Sequence, residues 1–144
     1  MNIFILDEDP VIAARMLCDR HIPKMIVESA QMLSTAHRLL DGSPTKRRSR
    51  SGKTIQTYYE FKDMRDELYY TAVHKHHPCT TWTMASIENY NWHYGHFAEM
   101  SKEFTFRRQK KHATWEKIGM ILAAPPINIP KIKRTEFAQA MSHY

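Results

Sequence analysis

Within "CDRHIPKMIVESAQ", Cys18 to Gln31, the groups able to move protons are crowded: Asp19, His21, Lys24 and Glu28 fall inside ten residues. His21 and Glu28 are seven apart, with Lys24 between them at three and four. On a helix this spacing puts all three side chains on one face. A carboxylate, an imidazole and an amine on a shared face perturb one another's proton affinities, which equips a site for proton transfer near neutral pH. A polar stripe is the competing account, with Glu28 and Lys24 as a helix surface pair and His21 bonded to a neighbouring turn.

A second chemistry is metal binding. Cys18 and His21 face the same way on a helix, and Cys79 with His74, His76 or His77 would complete four ligands. Neither half has a recognised zinc spacing, so Cys18, His76 and Cys79 stand only as weak candidates and no metal is expected. Solvent or phosphate is the other use for a loop of histidines in a basic protein.

The third is phosphate binding. Lys46, Arg47, Arg48, Arg50 and Lys53 form one acid-free cluster, and Arg107, Arg108, Lys110 and Lys111 form another. With Arg20 and His77 they are the expected nucleic-acid contacts. Trp82, Tyr90, Trp92 and Tyr94 offer faces for stacking bases, although at helical spacing most of them must be core.

These groups need a scaffold. "NIFIL" is a strand-like apolar segment with no partner strand in view, so it is expected to thread the core as a buried extension. Asp9-Pro10 begins a helix in the favoured order, carboxylate cap and then proline, running to about residue 20. Pro23 kinks it or begins a second helix, which carries Met25, Ser29, Met32, Ala36 and Leu40 on one stripe and stops at Gly42. Residues 42–57 lack the means to bury themselves and are expected to be a mobile basic loop. Helical spacing returns in "YYEFKDMRDELYYTAV", with Phe61, Met64, Leu68 and Ala72 inward. After a break at "HKHHPC", Thr80 or Thr81 caps one long helix through Trp82, Ile87, Tyr90, Tyr94, Phe97 and Phe104. Thr114 caps "WEKIGMILAA", which ends at Pro125-Pro126, and "TEFAQAMSH" adds a last turn or two. The expected fold is mostly α, a compact single domain over residues 1–144.

Composition narrows the classes. The chain has 144 residues, a formal charge of +6, nine histidines, nine methionines and two cysteines. One domain of this size buries a core without disulfides, and so few cysteines beside so many methionines suit a cytoplasmic protein. "MNIFILDEDP" is too short and too acidic for a signal peptide or a membrane span. The positive charge favours a polyanionic partner, nucleic acid before any anionic surface.

"RMLCDRHIPKMIVESAQML" resembles the active-site stretch of the phage pyrimidine-dimer DNA glycosylases of the endonuclease V type. That family is small, basic and mostly helical, with an Asp-x-His pair followed seven residues later by a catalytic glutamate. Asp19, His21 and Glu28 match that pattern. "LSTAHR" and "HPC..W...S..NY.W", here Leu33–Arg38 and His77–Trp92, also resemble a group of uncharacterised phage proteins. The glycosylase resemblance covers about the first third of the chain. It implies a DNA glycosylase with abasic-site β-lyase activity on double-stranded DNA, in a host cytoplasm, with no cofactor. In the family the N-terminal α-amine attacks the sugar C1′, and the glutamate handles protons. An α-amine has a pKa of ~7.7–8.0 against ~10.4 for lysine, so more of it is the free nucleophile at neutral pH. Asn2 stands where the family has a small residue, and Val27 where arginine precedes the glutamate. The nucleophile is accordingly the amine of Met1, that of Asn2 after processing, or Lys24 itself. The alternative is a nucleic-acid-binding protein that keeps this fold without the chemistry.

Overall fold

The computed structural model describes residues 2–138. Five α-helices and one β-hairpin follow one another as α1 (Pro10–Arg15), α2 (His21–Asp41), β1 (Ser43–Arg48), β2 (Ile55–Glu60), α3 (Arg65–Leu68), α4 (Pro78–Ala85) and α5 (Ile87–Arg108). A π-helical turn, Trp115–Gly119, and a 3-10 turn, Ile121–Ala123, close the helical part. The mostly helical expectation therefore holds, with a small sheet added. Among the described residues no helix is long and apolar enough to cross a membrane.

α1 starts as expected. The Asp9 carboxylate accepts from the Val11 N–H at 2.8 Å, with Pro10 in the first turn. It ends earlier than expected because its exit carbonyls are taken: the Arg107 guanidinium donates to Arg15 O at 3.1 Å and to Leu17 O at 2.8 Å. Pro23 lies in the first turn of α2, where no intrahelical N–H is lost, so it begins the helix and does not kink it. Met25, Ser29, Met32 and Ala36 are buried along the expected stripe, and Leu40 packs at its edge. Gly42 stops the helix by close approach: a Cβ there would stand 2.6 Å from the Arg38 carbonyl oxygen.

Residues 42–57 are not a mobile loop. β1 and β2 pair antiparallel in the register Thr45 with Tyr58 and Arg47 with Gln56, turning through Gly52 at φ 74°. The hairpin is tied down by Arg38, which is 1% exposed in the middle of a polar cage. Its guanidinium donates to the carbonyls of Tyr59, Asp66, Tyr69 and Tyr70 and to the Asp66 carboxylate, all at 2.7–2.9 Å. That cage also replaces the expected helix over 58–73, of which only α3 forms; Met64 is 79% exposed and only Phe61 of the expected inner face is buried.

The expected single long helix is two. Ser86 is extended at φ −155°, and its hydroxyl accepts from the Asn89 N–H at 3.0 Å, which starts a new helix. Its neighbour Ile87 donates its N–H to the Pro130 carbonyl. α4 is capped by His77, whose Nδ1 accepts from the Cys79 N–H, and by Pro78 in its first turn. After Pro125-Pro126 the chain makes a turn at Ile127–Asn128 and continues without regular structure. Asp41 takes the N–H groups of Ile127 and Asn128, and Thr135 bonds Asn89. Of the expected terminal turn, residues 135–138 form no helix and the rest lie outside the described residues.

The core divides in two. The larger part gathers Ile22, Ile26 and Leu33 of α2 against Tyr90, Phe97 and Met100 of α5. The smaller joins Ile3, Met32, Cys79, Trp82 and Trp92, and it fixes the start of the chain.

Candidate active site

Ile3 is 1% exposed, and its carbonyl lies 3.1 Å from His96 Nε2 in the middle of α5. The expected buried extension is thus real for Ile3, while Leu6 turns outward at 45% exposure. Asn2 Oδ1 accepts from the Phe4 N–H at 2.8 Å and closes a tight local turn. Phe4 sits at φ 55°, a left-handed conformation that costs a bulky residue about 1–3 kcal/mol and persists only where surroundings impose it. One imposing contact is His21: the two rings stack with centroids 5.5 Å apart and 8° between planes.

These contacts lay residues 2–4 along one side of α2. Phe4 covers His21 at the helix start, and Ile3 shares the smaller core with Met32, three turns on. Glu28 lies between them, one turn before Met32 and two turns after His21 on the same face. Its side chain is half-buried there, whereas His21 and Lys24 are exposed. Met1, the first candidate nucleophile, lies outside the described residues. The structure therefore stacks Phe4 on His21 and keeps His21, Lys24 and Glu28 on one face of α2, with His21 and Lys24 exposed and Glu28 half-buried.

Asp19 does not join them. Its carboxylate is held by Arg107 at 2.9 Å, which turns it toward α5 and away from the imidazole it neighbours in sequence. Arg107 is spent inside the fold, on Asp19, Glu103 and two carbonyls, and its side chain is only 23% exposed. That leaves it poorly placed for phosphate. Arg108, Lys110, Lys111 and Arg20 are exposed. In the hairpin, Lys46 bonds Thr57, and Arg47 pairs with Glu60 and lies over the Tyr58 ring at 3.7 Å. Arg48, Arg50 and Lys53 are exposed around the turn. His77 serves as the cap of α4.

The weak metal set does not assemble. Cys18 is exposed before α2, Cys79 is buried beside Ile3, and His76 is exposed. Among the described residues no three His, Cys, Asp or Glu side chains are placed to hold a metal. Burial pushes the Cys79 thiol up, which keeps it an inert core group. Trp82, Tyr90 and Trp92 are core, so of the four aromatic residues expected to stack bases only the half-buried Tyr94 reaches the surface.

Burial also explains the histidines of the interior. His93 lies between Ser29 Oγ at 3.0 Å and Thr83 Oγ1 at 2.8 Å, and desolvation brings its pKa down to about 3. His37 meets the Tyr90 hydroxyl at 2.9 Å and is brought down to about 4, again mainly by burial. Both are neutral structural groups at physiological pH. Sequence reading missed Phe4 as the partner of His21 and Arg38 as the anchor of the hairpin. An arginine inside an apolar helical run was the available signal for Arg38, since such a charge must be paired. Comparison of the chain with protein-family profiles, curated proteins and solved structures finds no match.

Proposed function

We propose that the protein is a DNA glycosylase with abasic-site β-lyase activity, working through an amine–imine intermediate. The observation that carries the proposal is the anchoring of residues 2–4, with Phe4 stacked on His21, which lies seven residues before Glu28 on α2. A chain start clamped by His96, His21 and the small core is held with the positional precision that a terminal nucleophile requires.

The steps use the chain's own groups. The free α-amine attacks C1′ of a flipped nucleotide, the C1′–N bond to the sugar forms, and the base departs with a proton. Opening of the sugar ring gives the imine. Glu28 then takes a proton from C2′, and the electron pair it leaves expels the 3′ phosphate. Water returns the amine. Flipping costs a few kcal/mol, least at a damaged or mismatched pair, and this supplies part of the selectivity. Exposed Arg20, Arg108, Lys110 and Lys111, together with the hairpin cations, supply phosphate contacts.

The test is borohydride reduction of the protein mixed with abasic-site duplex, read by intact mass. A covalent adduct, retained in Glu28→Gln while strand cleavage falls because Glu28 acts after the imine has formed, is the expected result. Absence of any adduct with binding retained would leave a nucleic-acid-binding protein without the chemistry.

A further inference from the structure

A groove of about 680 Å³ runs between the hairpin and the irregular segment 71–75. We infer that this groove holds an unpaired stretch of nucleic acid, its phosphates on Arg48, Arg50 and Lys75 and a base on Tyr59. The inference deepens the proposed function by naming the state of the substrate beside the reactive site, and it rests on that reading for its place in the reaction.

The lining carries Arg47, Arg48 and Arg50 on one wall and His74 and Lys75 on the other, with no acid among its residues. All four cations are exposed, and of these Arg47 is paired with Glu60. Polyanion is the ligand class that charge of this kind selects. Tyr59 is half-buried at the wall, with Lys75 Nζ 3.4 Å from its hydroxyl and over its ring. An aromatic face beside cations is the arrangement by which proteins track a single strand: cations follow the backbone and the ring stacks a base. A paired base has no free face to offer. A cleft walled on two sides also receives a single strand more readily than the convex outside of a duplex.

Both walls are fixed by α2. Arg38 holds the Tyr59 and Tyr70 carbonyls, and Thr35 Oγ1 accepts from the Val73 N–H at 3.1 Å. Thr35 is seven residues beyond Glu28, so it lies on nearly the same face about 10.5 Å farther along the axis. The groove wall at Val73 is therefore held farther along α2 than Glu28, on the face that Thr35 presents.

The experiment measures binding by fluorescence anisotropy, using the undamaged full chain and a labelled oligothymidylate of about twelve nucleotides. A blunt duplex of equal length and a polyglutamate peptide serve as comparison probes. The single strand should bind more tightly than either. Lys75→Ala and Arg50→Ala should each lower the slope of log K against log salt by about 0.7 on the single strand. Tyr59→Leu should weaken it by roughly 5- to 150-fold at fixed salt, with the slope unchanged. Lys75 and Arg50 are exposed, so these variants keep the fold even if Tyr59→Leu does not. Equal binding of duplex and single strand, tighter binding of polyglutamate, or salt slopes unmoved by both cation variants would overturn the inference. Borohydride trapping separates the two readings. Trapping with an inert groove defeats this inference alone, and groove binding without trapping defeats the glycosylase alone.

Discussion

The Phe4 ring lies parallel to the His21 imidazole, 5.5 Å between centroids, although Phe4 must adopt φ 55° to reach it. The strained residue is thus one turn of backbone from the chain's start and directly on the helix that carries Glu28. Strain of this kind is kept where position matters. Phe4→Ala should lower the rate of borohydride trapping by about 10²-fold, the usual effect of displacing a reacting group by an ångström. Affinity for undamaged duplex should change little. Trapping at the parental rate by folded Phe4→Ala would show that the stack does not position the nucleophile.

Glu28 is tested by loss of function at constant shape. Glu28→Gln keeps the volume in its half-buried place on α2 and removes the proton acceptor. Cleavage of abasic DNA, followed on a denaturing gel, should fall by about 10²–10⁴-fold, with DNA affinity nearly intact. Parental cleavage would remove Glu28 from the proton-transfer role.

The α2 stripe was legible because burial on one side of a helix repeats every 3.6 residues, and Met25, Ser29, Met32 and Ala36 keep that period. The hairpin was not, because Tyr58, Phe61, Met64 and Leu68 fit a helical period as well as "IQTYYE" fits an alternation. The deciding signal was the Ser51-Gly52 turn, where Gly52 takes positive φ. The break at Ser86 hides in an apolar run, and only its side chain's bond to Asn89 reveals it. Of the candidate site, the helical spacing of His21 and Glu28 could be read directly. The diversion of Asp19 to Arg107 could not, since that contact joins residues 88 apart.

Arg38 carries the hairpin. Arg38→Met would leave four backbone carbonyls and the Asp66 carboxylate without their buried donor. Breaking such a buried charge network by removing one partner costs about 3–5 kcal/mol. Urea unfolding should show that loss. The same variant should also raise amide exchange in 43–60, since Arg38 ties β2 to α2 through the Tyr59 carbonyl. A stability change under 1 kcal/mol, within the range of an exposed pair, would contradict the cage.

Acid should destabilise the fold before the carboxylates titrate. His93 and His37 are held neutral, with pKa values brought down to about 3 and about 4 from 6.5. In the unfolded chain they take up protons at pH 6.5, so between there and pH 4 the unfolded state binds more protons than the folded one. Stability therefore falls as pH is lowered through this window, with a slope of about 1.4 kcal/mol per pH unit for each histidine. His93→Asn should flatten the curve of unfolding free energy against pH. An unaltered slope in that variant would mean that His93 does not titrate differently in the two states.

The nucleophile itself is separable from every side chain. If the α-amine reacts, one added N-terminal residue moves it by about 3.3–3.6 Å along an extended chain. That exceeds the near-contact distance that attack on a held sugar allows. Residues 2–4 are anchored by His96 and His21, so the extension cannot be absorbed by sliding the segment inward. The extended protein should bind abasic DNA and form no borohydride adduct, and removing the extra residue should restore the adduct. Lys24→Met is the opposing control, because Lys24 is exposed on α2 and its loss leaves the terminus in place. A terminal nucleophile predicts full trapping in Lys24→Met. Trapping by the extended protein, abolished in Lys24→Met, would instead move the imine onto the helix.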